Sequence, residues 1–159
     1  MKRIKLTQGK YTLVSDKDYA YLNQWEWCCS AAEYAIRGVR LVNKPTKHIY
    51  MHRVILERMG LKNFKHGDHR NCNRLDNRRI NLRVATCSEN QHNKKLQKNN
   101  TSGYKGVSWY ACYGKWRVRI WAGRKSKHLG YFIDIIIAAK AYNKAAKKYH
   151  GKFAKLNTI

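Results

Sequence analysis

Acidic side chains are scarce in this chain: 9 Asp and Glu stand against 34 Lys and Arg among 159 residues, a formal net charge of +25. Such a balance favours a polyanionic partner, either nucleic acid or an anionic membrane surface. Long apolar runs are missing as well. None approaches the ~18 residues that a membrane-spanning helix needs. The start, Met1-Lys-Arg-Ile-Lys-Leu6, is basic but no apolar stretch follows it, so no signal peptide is expected. Nucleic acid is therefore the better partner. The five cysteines, Cys28, Cys29, Cys72, Cys87 and Cys112, include no C-x-x-C pair, which leaves a structural zinc site with little support. Their odd number and scatter fit reduced thiols in a cytosolic protein.

Most of the chemistry is concentrated between Phe64 and Asn93. Asp68-His69 are adjacent, Asn81 follows twelve positions after His69, and Asn90 nine after that. The loop between them is crowded with Asn, Asp and Arg, a composition that burial alone does not select. Asn81-Leu-Arg-Val-Ala-Thr86 alternates and carries β-branched residues, which predicts a short strand. Thr86-x-x-Glu89 has the form of a capping box and predicts a helix behind it. The local plan is strand, polar loop, strand, helix, with Asn90 in the first helical turn. A carboxylate and an amide oxygen are hard ligands suited to Mg²⁺ or Mn²⁺, and a neutral imidazole can take a proton from water near neutral pH. The alternative is structural: Asx-type hydrogen bonds that stabilise an irregular loop.

The pattern D-H-x-x-x-N-x-x-D-N-R-x-x-N-L-R-x-A-T-x-x-E-N, Asp68 to Asn90, resembles the HNH or ββα-metal nucleases, in particular the homing endonucleases of phages and introns. By position, the resemblance implies a catalytic pair of His69, the general base, and Asn81, which braces the loop. It implies Asp68 and Asn90 as ligands of a divalent metal, Mg²⁺ or Mn²⁺. The last motif position is Asn90 rather than His, and Cys72 stands where that branch usually has Gly.

Ahead of this stretch, Ile4, Leu6 and Tyr11–Val14 read as a hairpin around Gln8-Gly-Lys10. Ser15 to Asp18 opens a helix with acidic residues in its first turn. Residues 33–42 and 47–51 alternate as a pair of strands across Asn43-Lys-Pro45. His52 to Met59 reads as an amphipathic helix with Val54, Ile55 and Met59 on its apolar side. This lead-in also resembles the N-terminal part of phage HNH proteins. His52 reads first as a packed, hydrogen-bonded structural residue, with a place near the active site as the alternative.

Beyond residue 95 the composition turns polar, and 96–103 reads as a linker. A new pattern starts at Tyr104: a strand to Tyr110, a turn at Gly114, and a clean alternation in Lys115-Trp-Arg-Val-Arg-Ile-Trp121. There Trp116, Val118 and Ile120 face one side and Arg117, Arg119 and Trp121 the other. A third strand runs from Lys127 to Phe132. Asp134 then caps a helix to about Tyr149, whose alanines can lie close against a sheet, and Gly151 stops it. The residues Tyr104, Gly106-Val107, Gly114-Lys-Trp116, Leu129-Gly-Tyr-Phe132, Ala138-Ala139, Ala141-Tyr142, Ala145-Ala146, Gly151 and Leu156-Asn157 resemble the plant Apetala-two, or ethylene-response-factor, DNA-binding domain. That resemblance implies a DNA-facing set of Lys105, Ser108, Tyr110, Arg117, Arg119, Trp121, Ser126 and His128. A solvated basic face that holds phosphates without reading bases is the alternative.

The expected fold is α+β. A ββα-metal HNH nuclease unit with an N-terminal β-rich extension fills 1–95, a linker fills 96–103, and a three-stranded antiparallel sheet packed on one helix fills 104–159. The expected function is metal-dependent hydrolysis of a phosphodiester bond in double-stranded DNA, one strand per active site, in a bacterial host cytoplasm. The rival is a non-catalytic, sequence-specific DNA-binding regulator that keeps the nuclease fold. Pattern alone leaves open whether the protein acts as a monomer or a dimer.

Overall fold

Two-residue alternation begins the chain and is realised at once. In the computed structural model, which describes residues 1–159 with the side chain of Leu41 excepted, β1 (Lys2–Lys5) pairs antiparallel with β2 (Tyr11–Val14). Ile4 and Val14 turn inward. Ser15 then precedes α1 (Asp16–Leu22), as expected, but its hydroxyl does not cap that helix. It accepts instead from the Arg79 amide at 3.0 Å.

β3 (Cys28–Cys29), β4 (Ala35–Leu41) and β5 (Lys44–Tyr50) form a second antiparallel sheet. α2 (Met51–Arg58) follows, and buries Met51, His52, Ile55 and Leu56. The sequence placed Val54 and Met59 on the apolar side; both are only half-buried, because the helix starts one residue earlier and turns Met51 and Leu56 inward. β6 (His66–His69) leads into the polar loop. Within that loop β7 (Asp76–Asn77) adds to β2 in parallel, Leu13 beside Asp76 and Val14 beside Asn77. A 3₁₀ turn over Arg79–Asn81 opens onto β8 (Leu82–Ala85), which pairs antiparallel with β6.

The core of this part gathers Ile4, Leu6, Val14, Leu22, Trp27, Met51, Ile55, Leu56 and Leu82. Trp27 is buried with its indole N–H donating to the Leu22 carbonyl at 2.8 Å. Carboxylates also lie inside, Asp18 the most deeply. Asp18 is fully buried and accepts from Arg79 at 2.6 and 2.7 Å and from Arg58 at 3.1 Å, which ties α1 to α2 and to the 3₁₀ turn. A buried charge needs such partners. Burial works to raise the Asp18 pKa, but the two guanidinium groups win and hold it below the usual carboxylate range.

α3 (Cys87–His92) comes next in the chain, then β9 (Val107–Tyr110), β10 (Lys115–Ala122) and β11 (Lys125–Phe132) in the spatial order β11-β10-β9, and finally α4 (Ile135–His150). Asp134 caps α4 by accepting from the Ile137 amide at 2.7 Å. Ala138, Tyr142, Ala145 and Ala146 of the helix pack on Val107, Val118 and Ile120 of the sheet. Small side chains bring the helix close, and the approach demands a glycine at 106. Its φ is +76°, and a Cβ there would stand 2.2 Å from the Tyr142 ring. Burial of that ring pushes the Tyr142 hydroxyl up to about 12.

The chain divides into two compact units, Met1–Cys87 and Ser88–Ile159. The sequence reading ended its first domain at 95 and placed a linker over 96–103. In the structure these residues are fastened to the second unit. The Lys105 ammonium donates to the carbonyls of His92 (2.7 Å) and Lys94 (2.9 Å), and the Ser102 hydroxyl donates to the Val107 carbonyl at 2.8 Å. The architecture is α+β, with several small sheets and four α-helices among the described residues.

Candidate nucleic-acid interface

The polar loop of the first unit is built from its amides. Asn71 and Asn73 each accept from the amide two residues on, at 2.8 and 3.1 Å, so the Asx-turn reading holds for both. Asn81 spans the loop with both ends of its side chain: the oxygen accepts from the Asn71 amide at 3.0 Å, and the nitrogen donates to the Asp76 carbonyl at 2.7 Å. Asp76 takes a bidentate pair from Arg78, at 2.7 and 2.6 Å, which holds its pKa below the usual range. Cys72 has a φ of +60°, the left-handed region that favours glycine.

The loop delivers His69 to a buried position. Its Nε2 lies 3.1 Å from Asn77 Oδ1. The Asn77 amide nitrogen donates to the Thr12 hydroxyl at 2.8 Å, and that hydroxyl donates to the Leu75 carbonyl at 2.8 Å. This relay fixes the amide, so its oxygen faces the ring. An amide oxygen only accepts, which places the ring proton on Nε2 and the lone pair on Nδ1. Burial lowers the pKa of His69, with Asn77, Asp68 and Asp76 pulling the other way. Beside it, the His52 ring meets His69 edge-on at 5.2 Å, and Tyr34 stands within 6.1 Å of both rings. Burial, with the charges of His69 and Arg53, pushes His52 down to about 3. Asn77, Thr12 and Tyr34 escaped the sequence reading. Only the parallel pairing of β7 on β2 brings the first two together, and no local pattern announces it.

Asp68 is buried, and its Oδ2 accepts from Arg83 Nε at 2.7 Å and Nη2 at 2.6 Å. Asn90, the other expected metal ligand, lies half-buried on α3 in the second unit. Among the described residues, no three His, Cys, Asp or Glu side chains gather where they could hold a metal ion.

The second unit carries the broader surface. Register sets Arg117 beside Ser108 and Tyr131, Arg119 beside His128, Trp121 beside Ser126, and Lys115 beside Tyr110. Directly paired residues share a face. Seven of the expected DNA-facing residues, Ser108, Tyr110, Arg117, Arg119, Trp121, Ser126 and His128, thus line the side away from α4. An irregularity between Val118 and Arg119 makes this possible. There β11 holds one extra residue, Leu129, which packs into the core and restores His128 to the open face. Trp121 is 63% exposed. The Arg117 guanidinium lies over the Tyr110 ring, 4.8 Å from its centroid, and its buried Nε has no hydrogen-bond partner. Two residues join the face unforeseen: Tyr113 and Tyr131 pack with Tyr110, at centroid distances of 5.2 and 5.4 Å, and with each other at 4.8 Å. Lys105 is the exception to the expected set, because its ammonium is spent on the carbonyls of His92 and Lys94. The only acidic residues of Ser88–Ile159 are Glu89 and Asp134.

Fold and surface together define an α+β protein whose second unit presents a basic, aromatic sheet face. Comparison with known proteins gives its relatives. The chain is 35% identical to Protein 3.8 of Escherichia phage T7 over 88 residues, 55% of this chain and 72% of the phage protein, and it belongs to the family of that protein. It is also 37% identical over 62 residues to the AP2-like ethylene-responsive transcription factor TOE2 of Arabidopsis thaliana, 39% of this chain and 13% of that protein. Against APETALA2-like protein 2 of Oryza sativa subsp. indica it is 38% identical over 60 residues, 38% of this chain and 14% of the rice protein. The chain thus spans only a small part of these plant relatives. No family model matches it. Among the described residues, no helix is long and apolar enough to cross a membrane.

Proposed function

We propose that the protein binds double-stranded DNA through the open face of the β9–β10–β11 sheet, as a sequence-specific DNA-binding regulator acting in the cytoplasm of a phage-infected bacterial cell. One observation carries this reading: Ser108, Tyr110, Arg117, Arg119, Trp121, Ser126 and His128 share one face of a sheet in a unit nearly without carboxylates. A β-sheet edge or ribbon fits the major groove, where arginine pairs with guanine edges. The plant relatives, one of them named as a transcription factor, and the phage relative support it. The test is a salt titration of duplex binding with Arg117→Ala/Arg119→Ala. If both arginines contact phosphates, the slope of log K against log salt becomes shallower by about two. If either reads guanine, the loss falls on the preferred sequence, by roughly 1–3 kcal/mol per bidentate pair. Unchanged binding at every salt concentration would remove this face from the interface.

A second reading, metal-dependent cleavage of the bound DNA, is favoured by the geometry around His69. The Asn77–Thr12 relay leaves Nδ1 as the basic nitrogen of a buried, neutral imidazole, the form that accepts a proton from water. In this reading Asp68 is the ligand that the first unit offers to Mg²⁺ or Mn²⁺, which would supply charge stabilisation at the phosphate. Asn81 keeps the loop in shape. Supercoiled plasmid incubated with Mg²⁺, with and without chelator, decides it. Nicking that falls by about 10²–10⁴-fold in His69→Ala, with duplex affinity retained, is the expected result. An intact plasmid leaves the non-catalytic regulator.

A further inference from the structure

The DNA-binding reading leaves one feature of the second unit unused. A cleft of about 570 Å³ lies between Ser88–Asn100, which includes most of α3, and the sheet-and-helix core, all within Ser88–Ile159. That volume falls in the range of small-molecule sites. Lys95 and Arg119 line it with positive charge, and among the described lining residues there is no carboxylate. Trp121 and Tyr142 are the aromatic rings among its lining residues, Trp121 63% exposed. At its side His92 stacks on His150, ring centroids 3.7 Å apart and planes within 8°.

His150 marks the cleft as more than a gap. The side chain is 8% exposed, and its Nε2 stands 2.7 Å from the Trp121 carbonyl oxygen. A carbonyl only accepts, so the ring proton sits on Nε2 and Nδ1 is left as an acceptor. That Nδ1 is buried and has no hydrogen-bond partner. Protein interiors rarely leave such an atom unmet. Burial and the neighbouring charges of His150 and Lys105 lower the pKa of His92, which suits a neutral stacked pair.

A ligand that answers all three features carries an anionic group for Lys95 and Arg119, a flat ring for Trp121, and an N–H for His150 Nδ1. A nucleoside phosphate has all three. We propose that this cleft receives one unpaired nucleotide, its phosphate toward Lys95 and Arg119 and its base within reach of His150. Arg119 and Trp121 belong both to the cleft and to the open sheet face, so a nucleotide extruded from DNA held on that face lies at its mouth. The DNA-binding reading enters only here, as the source of the nucleotide; a free mononucleotide shares the chemistry.

Two measurements on the full chain test this. Calorimetry compares deoxyadenosine monophosphate with inorganic phosphate, and anisotropy compares a fully paired duplex with the same duplex carrying one extra unpaired adenosine. Saturable binding of the mononucleotide, at least tenfold tighter than phosphate, is expected. It should weaken at least tenfold in His150→Phe, which keeps a ring against His92 but removes the acceptor. The exposed Lys95→Glu should weaken it as much, and decides the matter if His150→Phe does not fold. A tenfold preference for the unpaired adenosine, lost in both variants, assigns the source to bound DNA; mononucleotide binding without that preference assigns it to free nucleotide. Phosphate binding as tightly as the mononucleotide, or neither binding, overturns the proposal. Affinity for the fully paired duplex reports separately on the DNA-binding reading.

Discussion

At the scale of single residues, the first unit is organised by what burial does to its imidazoles. His52 is 8% exposed and pushed from the usual 6.5 to about 3, and His69 is lowered beside it. The consequence for stability has a definite sign. Above pH 6.5 both folded and unfolded chains hold these rings neutral, and the stability they permit is fully present. As pH falls from 6.5 toward 3 the unfolded chain takes up protons that folded His52 refuses, so stability is lost over that window, at up to roughly 1.4 kcal/mol per pH unit for one such group. The melting temperature should therefore drop more steeply with acid in the wild type than in His52→Phe. Thermal melts between pH 8 and pH 4 check this, and parallel curves would mean that the ring is not held neutral. Residue-scale reading from sequence singles out Asn81, whose side chain spans the loop with both its ends, and Cys72, whose φ of +60° lies in the left-handed region that favours glycine. It was blind to Asn77 and Thr12, 65 positions apart, because their hydrogen bond depends on which strand accepts β7.

Elements were clearer than their partners. Period-two alternation located β10, and its inward residues Val118 and Ile120 are fully buried while Arg119 and Trp121 are exposed. Asp134 and Gly151 bound α4 as capping chemistry requires. The extra residue in β11 could not be foreseen, since a bulge answers to packing: without it Leu129 would share the open face with Tyr131, and His128 would turn inward. The motif residue Asn157 gains a physical reason that pattern alone lacked. It exchanges hydrogen bonds with Asn143 of α4, at 2.7 and 2.9 Å, and with the backbone of Lys105, at 2.7 and 3.2 Å, so it pins the chain end to both sides of the unit. Gly106 is the matching necessity in the sheet, where the Tyr142 ring occupies the space a side chain would take.

For the molecule as a whole, composition puts a linker over 96–103, while the chain divides into the compact units Met1–Cys87 and Ser88–Ile159. Residues 96–103 carry few apolar side chains and end in turn formers, so composition reads them as a tether behind a first domain that ends at 95. Their fastening is made of polar groups meeting backbone carbonyls and of one histidine stack, and neither leaves a periodic signature. The Ser102 hydroxyl meets the buried Val107 carbonyl, the Lys105 ammonium closes on His92 and Lys94, and His92 covers His150. A fragment cut at 104 loses all three. Leaving a buried carbonyl unmet costs about 1–3 kcal/mol by itself, and uncovering His150 adds to that. The fragment 88–159 should accordingly melt cooperatively and be more stable than 104–159 by at least about 2 kcal/mol. Denaturant titrations of the two fragments, compared at equal slope, measure the difference. Equal midpoints would mean that the folded module begins at 104 and that the preceding residues are a tether after all.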